Sequence, residues 1–261
     1  MNDELKSASL ITGLHAVVTG GGRGIGAVVA QRLSDMGATV TLMGRNEEAL
    51  KQVSGGLRDS AWEAVDVTDS SAITNAFKSA EKRYGPVQVL VNNAGAAESA
   101  PFEKTSGALW DRMLAVNLTA QFYCQQEVLP SMREAKWGRI INIVSTAGMI
   151  GYAYVAAYCA AKHGAIGLTR ALALETARSG ITANAICPGF TETDLLEGSI
   201  ENIMTTTGRS REEAEKSLQA VNPQRRFIQP GEVAATVGWL CSQGSQSITG
   251  QSIAVAGGEV M

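Results

Sequence analysis

Tyr158 and Lys162 stand four residues apart, and Ser145 precedes the tyrosine by thirteen positions. The segment Ala156–Thr169 has helical composition, which puts residues i and i+4 on one face. An ammonium beside a phenol favours the phenolate. A tyrosine with an ordinary pKa near ~10 needs about 4 kcal/mol of differential stabilisation to work near neutrality, and Lys162 is placed to supply part of it. Tyr158 can then give a proton to a carbonyl oxygen as hydride arrives, or take one from an alcohol in reverse. Ser145, at the end of the apolar run Ile140–Val144, can hold the same oxygen and stabilise its developing charge. Ser145 and Tyr158 are thus candidate substrate contacts as well as catalytic groups. A tyrosine and lysine at this spacing also occur on ordinary helix surfaces, so their weight depends on what lies upstream.

Upstream lies a glycine loop. The first apolar run, His15–Thr19, leads directly into Gly20-Gly21-Gly22-Arg23-Gly24-Ile25-Gly26. Glycine tolerates positive φ and lets backbone N–H groups approach a pyrophosphate closely, and the following helix start offers unpaired donors and a positive dipole end. Strand, glycine loop and helix in that order are the context a dinucleotide site requires. The second strand, Thr39–Met43, ends in Gly44-Arg45-Asn46 with no acid until Glu47. A carboxylate at that strand end would take the ribose hydroxyls of NAD. Arg45 would instead attract a 2′-phosphate, with Arg23 nearby. The expected cofactor is NADP(H) in preference to NAD(H).

These residues need a scaffold. Apolar runs at His15–Thr19, Thr39–Met43, Trp62–Val65, Val87–Val91, Ile140–Val144, Thr182–Ile186 and Ser252–Val255 alternate with amphipathic stretches. The helical stretches include Gly24 to about Met36, Glu47–Val53 and Ser70–Tyr84. Such apolar strands separated by helices indicate parallel pairing with both faces covered, and right-handed crossovers then give a doubly wound sheet. The fold expected is α/β, a doubly wound parallel sheet of about seven strands with helices on both faces. No repeat or linker divides residues 1–261, so one domain is expected. The least regular part, 193–222, carries polar turns at Glu197-Gly198-Ser199 and Thr207-Gly208 and a charged helical stretch Ser210–Leu218; it reads as a flap over a binding cleft.

Composition excludes several classes. Among 261 residues, 45% are apolar, 18% are charged and the net charge is −3, which leaves no electrostatic footprint for nucleic acid or an anionic membrane. Cys124, Cys159, Cys187 and Cys241 lack metal-ligand spacing, and only His15 and His163 could assist them; free thiols in a reducing compartment are expected and no metal site. The acidic start Met1-Asn2-Asp3-Glu4 does not read as a signal peptide, and no run approaches 18 apolar residues. A cytoplasmic protein is the expectation.

Over essentially its whole length the chain resembles the short-chain dehydrogenase/reductase family. The family's T-G-x-x-x-G-x-G is similar to Thr19–Gly26, its N-N-A-G to Asn92-Asn93-Ala94-Gly95, and its P-G-x-x-x-T to Pro188–Thr193. The resemblance implies a single-domain Rossmann fold and a catalytic set of Asn117, Ser145, Tyr158 and Lys162. Asn117 would kink a helix and hold a water that relays protons to Lys162. It further implies that Gly20, Gly22, Arg23, Gly24, Ile25 and Gly26 cradle the cofactor, with Arg45 and Asn46 near its phosphorylated ribose. Asp66 and Val67 would flank the adenine, Asn93 would lie beside the adenine ribose, and Ala94 and Gly95 would also contact the cofactor. Lys162 would bind the nicotinamide ribose, with Tyr158, Pro188 and Gly189 also contacting the cofactor, and Thr191 and Thr193 would lie near the carboxamide. Family members are mostly tetramers, so a homotetramer is implied, built around helices near 105–132 and 156–178.

Tyr158–His163, Cys187–Phe190 with Glu192-Thr193, and Gln229–Val233 look most like 3-oxoacyl-thioester reductases and aromatic polyketide ketoreductases. A 3-oxoacyl thioester is therefore the leading substrate, with Ala147, Tyr152, Tyr154 and Phe190 as candidate pocket residues. Steroid, sugar or xenobiotic ketones are the alternatives, followed by an isomerase or epimerase and a protein that senses NADP(H) without turnover.

Overall fold

A computed structural model describes residues 11–261. Why its seven strands form one sheet follows from burial. Every residue of β1 (His15–Thr19), β5 (Gly138–Ile143) and β6 (Ile181–Pro188) is buried, so these strands must be covered on both faces. The remaining strands are β2 (Thr39–Gly44), β3 (Ser60–Ala64), β4 (Val87–Asn92) and β7 (Ser252–Val255). All pair in parallel, in the order β3-β2-β1-β4-β5-β6-β7. This is the doubly wound sheet that the alternating apolar runs predict.

Nine α-helices lie among the described residues: α1 (Gly24–Asp35), α2 (Glu47–Gly55), α3 (Ser70–Tyr84), α4 (Gly107–Leu114), α5 (Ala120–Ala135), α6 (Ala156–Thr176), α7 (Asp194–Thr207), α8 (Arg211–Gln219) and α9 (Pro230–Leu240). Alternation along β1 assigns the two faces. Ala16 and Val18 pack with Val29 and Leu33 of α1 and with Val233 and Val237 of α9. Val17 points the other way, into Phe77 of α3, Val128 of α5 and Leu172 of α6. Each side chain removed from water this way contributes roughly 1.5–3 kcal/mol.

Several expected boundaries shift. β3 begins two residues before Trp62 and ends before Val65, whose N–H still bonds the Gly44 carbonyl at 2.8 Å. α6 runs to Thr176 rather than Thr169. Residues 193–222 are more regular than their polar composition suggests. Glu197-Gly198-Ser199 lies inside α7 instead of forming a turn, while Thr207-Gly208 does end that helix, with Gly208 at φ +71°. α8 opens with a reciprocal capping pair, Ser210 with Glu213. α7 and α8 bury Leu196, Ile200 and Ala214 against Phe227, a small apolar cluster that holds the excursion as a unit.

Candidate active site

Strand order reverses direction between β1 and β4, and in doubly wound sheets the C-terminal ends of such strands open a crevice. The glycine loop sits there. Gly20 and Gly24 take φ of +64° and +52°, a region that β-carbons disfavour. A side chain at Gly26 would run into the Gly20 carbonyl, and one at Gly20 would lie 2.8 Å from Asn93 Nδ2. The loop is tied to the end of β4: Thr19 Oγ1 accepts from the N–H groups of Asn93 at 3.0 Å and Ala94 at 3.1 Å. Asn93 Nδ2 returns bonds to the carbonyls of Thr19 and Gly20, both at 3.1 Å. Arg23 occupies the N-cap of α1 without a side-chain capping bond. First-turn N–H groups of α1 therefore keep no side-chain cap at their positive dipole end, which suits an anionic pyrophosphate.

The other expected cofactor residues surround this crevice unevenly. Arg45 and Asn46 are exposed at the end of β2, but Asn46 Oδ1 accepts from Ala49 N at 3.1 Å and so caps α2. Asp66 is exposed and Val67 buried. Bonds from the Thr68 N–H and hydroxyl hold Asp66 below the usual carboxylate range, with a smaller contribution from the Arg45 charge. Arg23 is engaged elsewhere: its Nη1 lies 3.0 Å from Asp194 Oδ2, an exposed pair at the start of α7. Across the crevice, Thr191 Oγ1 donates to the Gly189 carbonyl at 2.9 Å, and Thr193 Oγ1 to that of Thr191 at 3.2 Å. A β-carbon on Gly24 would lie 3.2 Å from Thr193 Cγ2. The segment from Pro188 to Thr193 thus comes back onto the glycine loop, and Ile25 lies where that loop enters α1.

Ser145 follows β5 by two residues and caps a short 3-10 turn, Thr146–Gly148, its Oγ accepting from Ala147 N at 3.1 Å. α6 brings up Tyr158 and, one turn on, Lys162. Lys162 is 3% exposed, and its Nζ donates to the Ile143 carbonyl at 3.0 Å and lies 5.5 Å from the Tyr158 ring centroid. Burial pushes Tyr158 up to about 12, partly offset by a hydrogen bond with Ser145. Burial also pulls Lys162 down to about 8, against an opposing contribution from the nearby Cys187. The ammonium behind the phenol is therefore poised close to neutrality, which makes it a proton-transfer candidate.

Asn117 is fully buried in a π-helical segment, Ala115–Thr119, between α4 and α5. Its Nδ2 donates to the carbonyls of Ala96 at 2.9 Å and Met113 at 3.0 Å, and its Oδ1 accepts from Ala96 N at 3.3 Å. A β-carbon on Gly95 would lie 2.9 Å from Asn117 Oδ1 and 3.7 Å from Lys162 Nζ. Gly95, Asn117 and Lys162 thus share one small space, and only glycine leaves it open.

A cleft of about 550 Å³ is lined in part by Phe102, Tyr152 and Tyr154, and by Ala156, the first residue of α6. Tyr152 stacks edge-on against Phe190 with ring centroids 6.3 Å apart. Tyr154 holds φ +69°, a costly conformation for a bulky residue. Ala147 is buried and is not among the residues lining the cleft. Sequence reasoning missed two features. One is the buried chain linking Asn92, Asn142, Gln125 and Thr169, which locks β4 and β5 to α5 and α6; asparagines within otherwise apolar strands were the available signal. The other is Glu259, whose contact with Tyr152 spans 107 positions and leaves no local pattern.

The family model for short chain dehydrogenases matches residues 14–203. An acetoacetyl-CoA reductase of Paracoccus denitrificans is 36% identical over 240 residues, covering 91% of this chain and 94% of its own. A D-beta-hydroxybutyrate dehydrogenase of Cupriavidus necator is 35% identical over 257 residues, covering 96% and 99%. A crystal structure of a single-substitution variant of actinorhodin polyketide ketoreductase with NADPH superimposes with a TM-score of 0.91 at 38% identity, over 94% of this chain and 97% of that one. The glycine crevice and the Ser145, Tyr158 and Lys162 cluster thus accompany a family match over most of the length, and the chain belongs to the short-chain dehydrogenase family, nicotinamide-dependent oxidoreductases that act on hydroxyl and carbonyl groups.

Proposed function

We propose that the chain reduces a 3-oxoacyl thioester with NADPH, in a single domain spanning 1–261 whose 193–222 excursion flanks the substrate. The observation that carries the chemistry is the buried Lys162 one helical turn behind Tyr158, with Ser145 on the phenol. Ser145 orients the carbonyl oxygen, and Tyr158 gives it a proton as the carbonyl carbon takes hydride. Lys162 stabilises the phenolate that Tyr158 becomes on giving up its proton, and Asn117 holds the site behind Lys162 through which a replacement proton arrives. The bound nicotinamide supplies the hydride. Gly20 to Gly26, Asn93 to Gly95 and Pro188 to Thr193 would hold it, together with Tyr158 and Lys162.

Support for the thioester comes from relatives named for acetoacetyl-CoA and polyketide reduction. Arg45 at the end of β2, with no acid in its place, supports NADP(H) over NAD(H). Exposed Trp110 on α4, Phe122 on α5 and Leu174 on α6 support a homotetramer assembled on those helices. Four free cysteines, together with the absence among the described residues of any helix long and apolar enough to cross a membrane, support a cytoplasmic location.

The test is NADPH absorbance with a carbonyl panel of 3-oxoacyl thioesters, quinones, steroids and sugars. Acetoacetyl and longer 3-oxoacyl thioesters should be the best substrates. Tyr158→Phe should cut kcat by about 10²-fold or more while NADPH still binds; an undiminished rate would remove Tyr158 from the mechanism.

A further inference from the structure

The relatives include one protein named for a CoA thioester and one for a hydroxy acid. Around the reacting carbon these substrate types are alike. They differ two carbons away, where the acid carries a carboxylate and the thioester is neutral. An enzyme that favours the acid needs a cation or several donors there; one that favours the thioester gains by placing a negative charge nearby.

Glu259 is such a charge. It accepts a hydrogen bond from the Tyr152 hydroxyl through Oε1. Its Oε2 is buried with no hydrogen-bond partner, and it faces Gly189 so closely that a β-carbon there would lie 2.7 Å away. Tyr152 connects this carboxylate to the candidate catalytic residues on both sides. Its hydroxyl lies 2.7 Å from Thr146 Oγ1, next to Ser145, and its N–H donates to Cys159 Sγ at 3.4 Å, next to Tyr158. Burial and the hydrogen bond to Glu259 both hold the Tyr152 phenol well above its ordinary range, so Tyr152 stays a neutral donor toward that carboxylate. Tyr152, and not Glu259 itself, lines the cleft together with Phe102, Glu103 and Tyr154, so the Glu259 carboxylate sits one side chain behind the wall; no Lys, Arg or His lines the cleft. Lys162, the cation of the catalytic cluster, is committed to the Ile143 carbonyl.

We infer that Glu259 is a specificity-determining residue that makes the site accept uncharged carbonyl compounds, such as thioesters, and reject free 3-oxo acids. The inference rests on the carbonyl-reductase reading above, and it assigns a role to a position near the end of the chain that no motif marks. A fixed carboxylate one side chain behind the wall of the site weakens the binding of a substrate carboxylate by roughly tenfold.

The experiment compares kcat/KM with NADPH for acetoacetate and for the neutral acetoacetyl N-acetylcysteamine thioester, in wild type, Glu259→Gln and Tyr152→Phe. Glu259→Gln keeps an acceptor for Tyr152 and removes only the charge. It should raise the acetoacetate-to-thioester ratio roughly tenfold, chiefly through KM for acetoacetate. Tyr152→Phe breaks the same contact but keeps the charge, so it should leave the ratio low; a merely structural pairing would move both variants alike. An unchanged ratio in Glu259→Gln overturns the inference. If wild type reduces neither compound, the substrate reading fails by itself. The charge effect is then read from binding of acetoacetate against its methyl ester to the enzyme–NADPH complex, by nucleotide fluorescence. Equal affinity of the two for wild type would again overturn it.

Discussion

At the scale of single residues, the most informative group is Lys162, because its burial carries opposite consequences for stability and activity. The unfolded chain binds the Lys162 proton up to its ordinary 10.5, whereas the folded protein holds it only up to about 8. The penalty for burying the charge is therefore complete below pH 8, fades between 8 and 10.5, and is gone above. Lys162→Met should accordingly stabilise the cofactor-free protein at pH 7 by about 2–3 kcal/mol. Urea denaturation should show the advantage shrinking across pH 8–10.5, and a variant less stable than wild type at pH 7 would contradict it. The same titration should limit catalysis: kcat/KM for reduction falls as pH passes about 8, since that ratio reports the free enzyme. Arg45 poses a simpler test. Arg45→Asp should lower the NADPH-to-NADH ratio of kcat/KM by roughly tenfold or more, and a ratio that stays put would detach the preference from this residue.

At the scale of elements, the strands and the glycine loop were legible because their signals are local: short apolar runs, then a glycine cluster in which Gly20 and Gly24 take positive φ. Ser145, Tyr158 and Lys162 were legible for the same reason, lying on one strand end and one helix turn. The interior of α7 was not, because Gly198 and its polar neighbours look like a turn until Leu196 and Ile200 find Phe227 across the fold. The π-helical segment was equally hidden. Met113 and Asn117 are four apart, and the side chain of Asn117 donates to the Met113 carbonyl at 3.0 Å. π-Bulges of this kind are costly to keep and concentrate at functional sites. Asn117→Ala would leave the buried carbonyls of Ala96 and Met113 short of a partner, at about 1–3 kcal/mol. Its urea midpoint should fall with that loss. Its kcat should fall more than KM rises, because Asn117 is assigned to proton supply behind Lys162 and not to substrate contact.

At the scale of the molecule, the helices on both faces of the sheet leave large apolar side chains outward, Val28 of α1 and Trp239 of α9 on one face among them. α1 and α9 close one face around Val29, Leu33, Val233 and Val237. On the other, α5 and α6 bury Val128 and Leu172 inward, yet Phe122 is 41% and Leu174 82% exposed. Trp110 on the adjoining α4 is 39% exposed. The proposed assembly would cover these side chains, and helices that also carry Tyr158 and Lys162, or flank Asn117, would then be braced by it. Phe122→Glu combined with Leu174→Glu puts charges on that surface without touching the core. Light scattering should show the wild type as a tetramer and the double variant as smaller species, with kcat lowered in proportion to dissociation. A wild-type monomer, or a double variant that keeps the wild-type mass, would remove these helices from the interface and leave the exposed residues to another role.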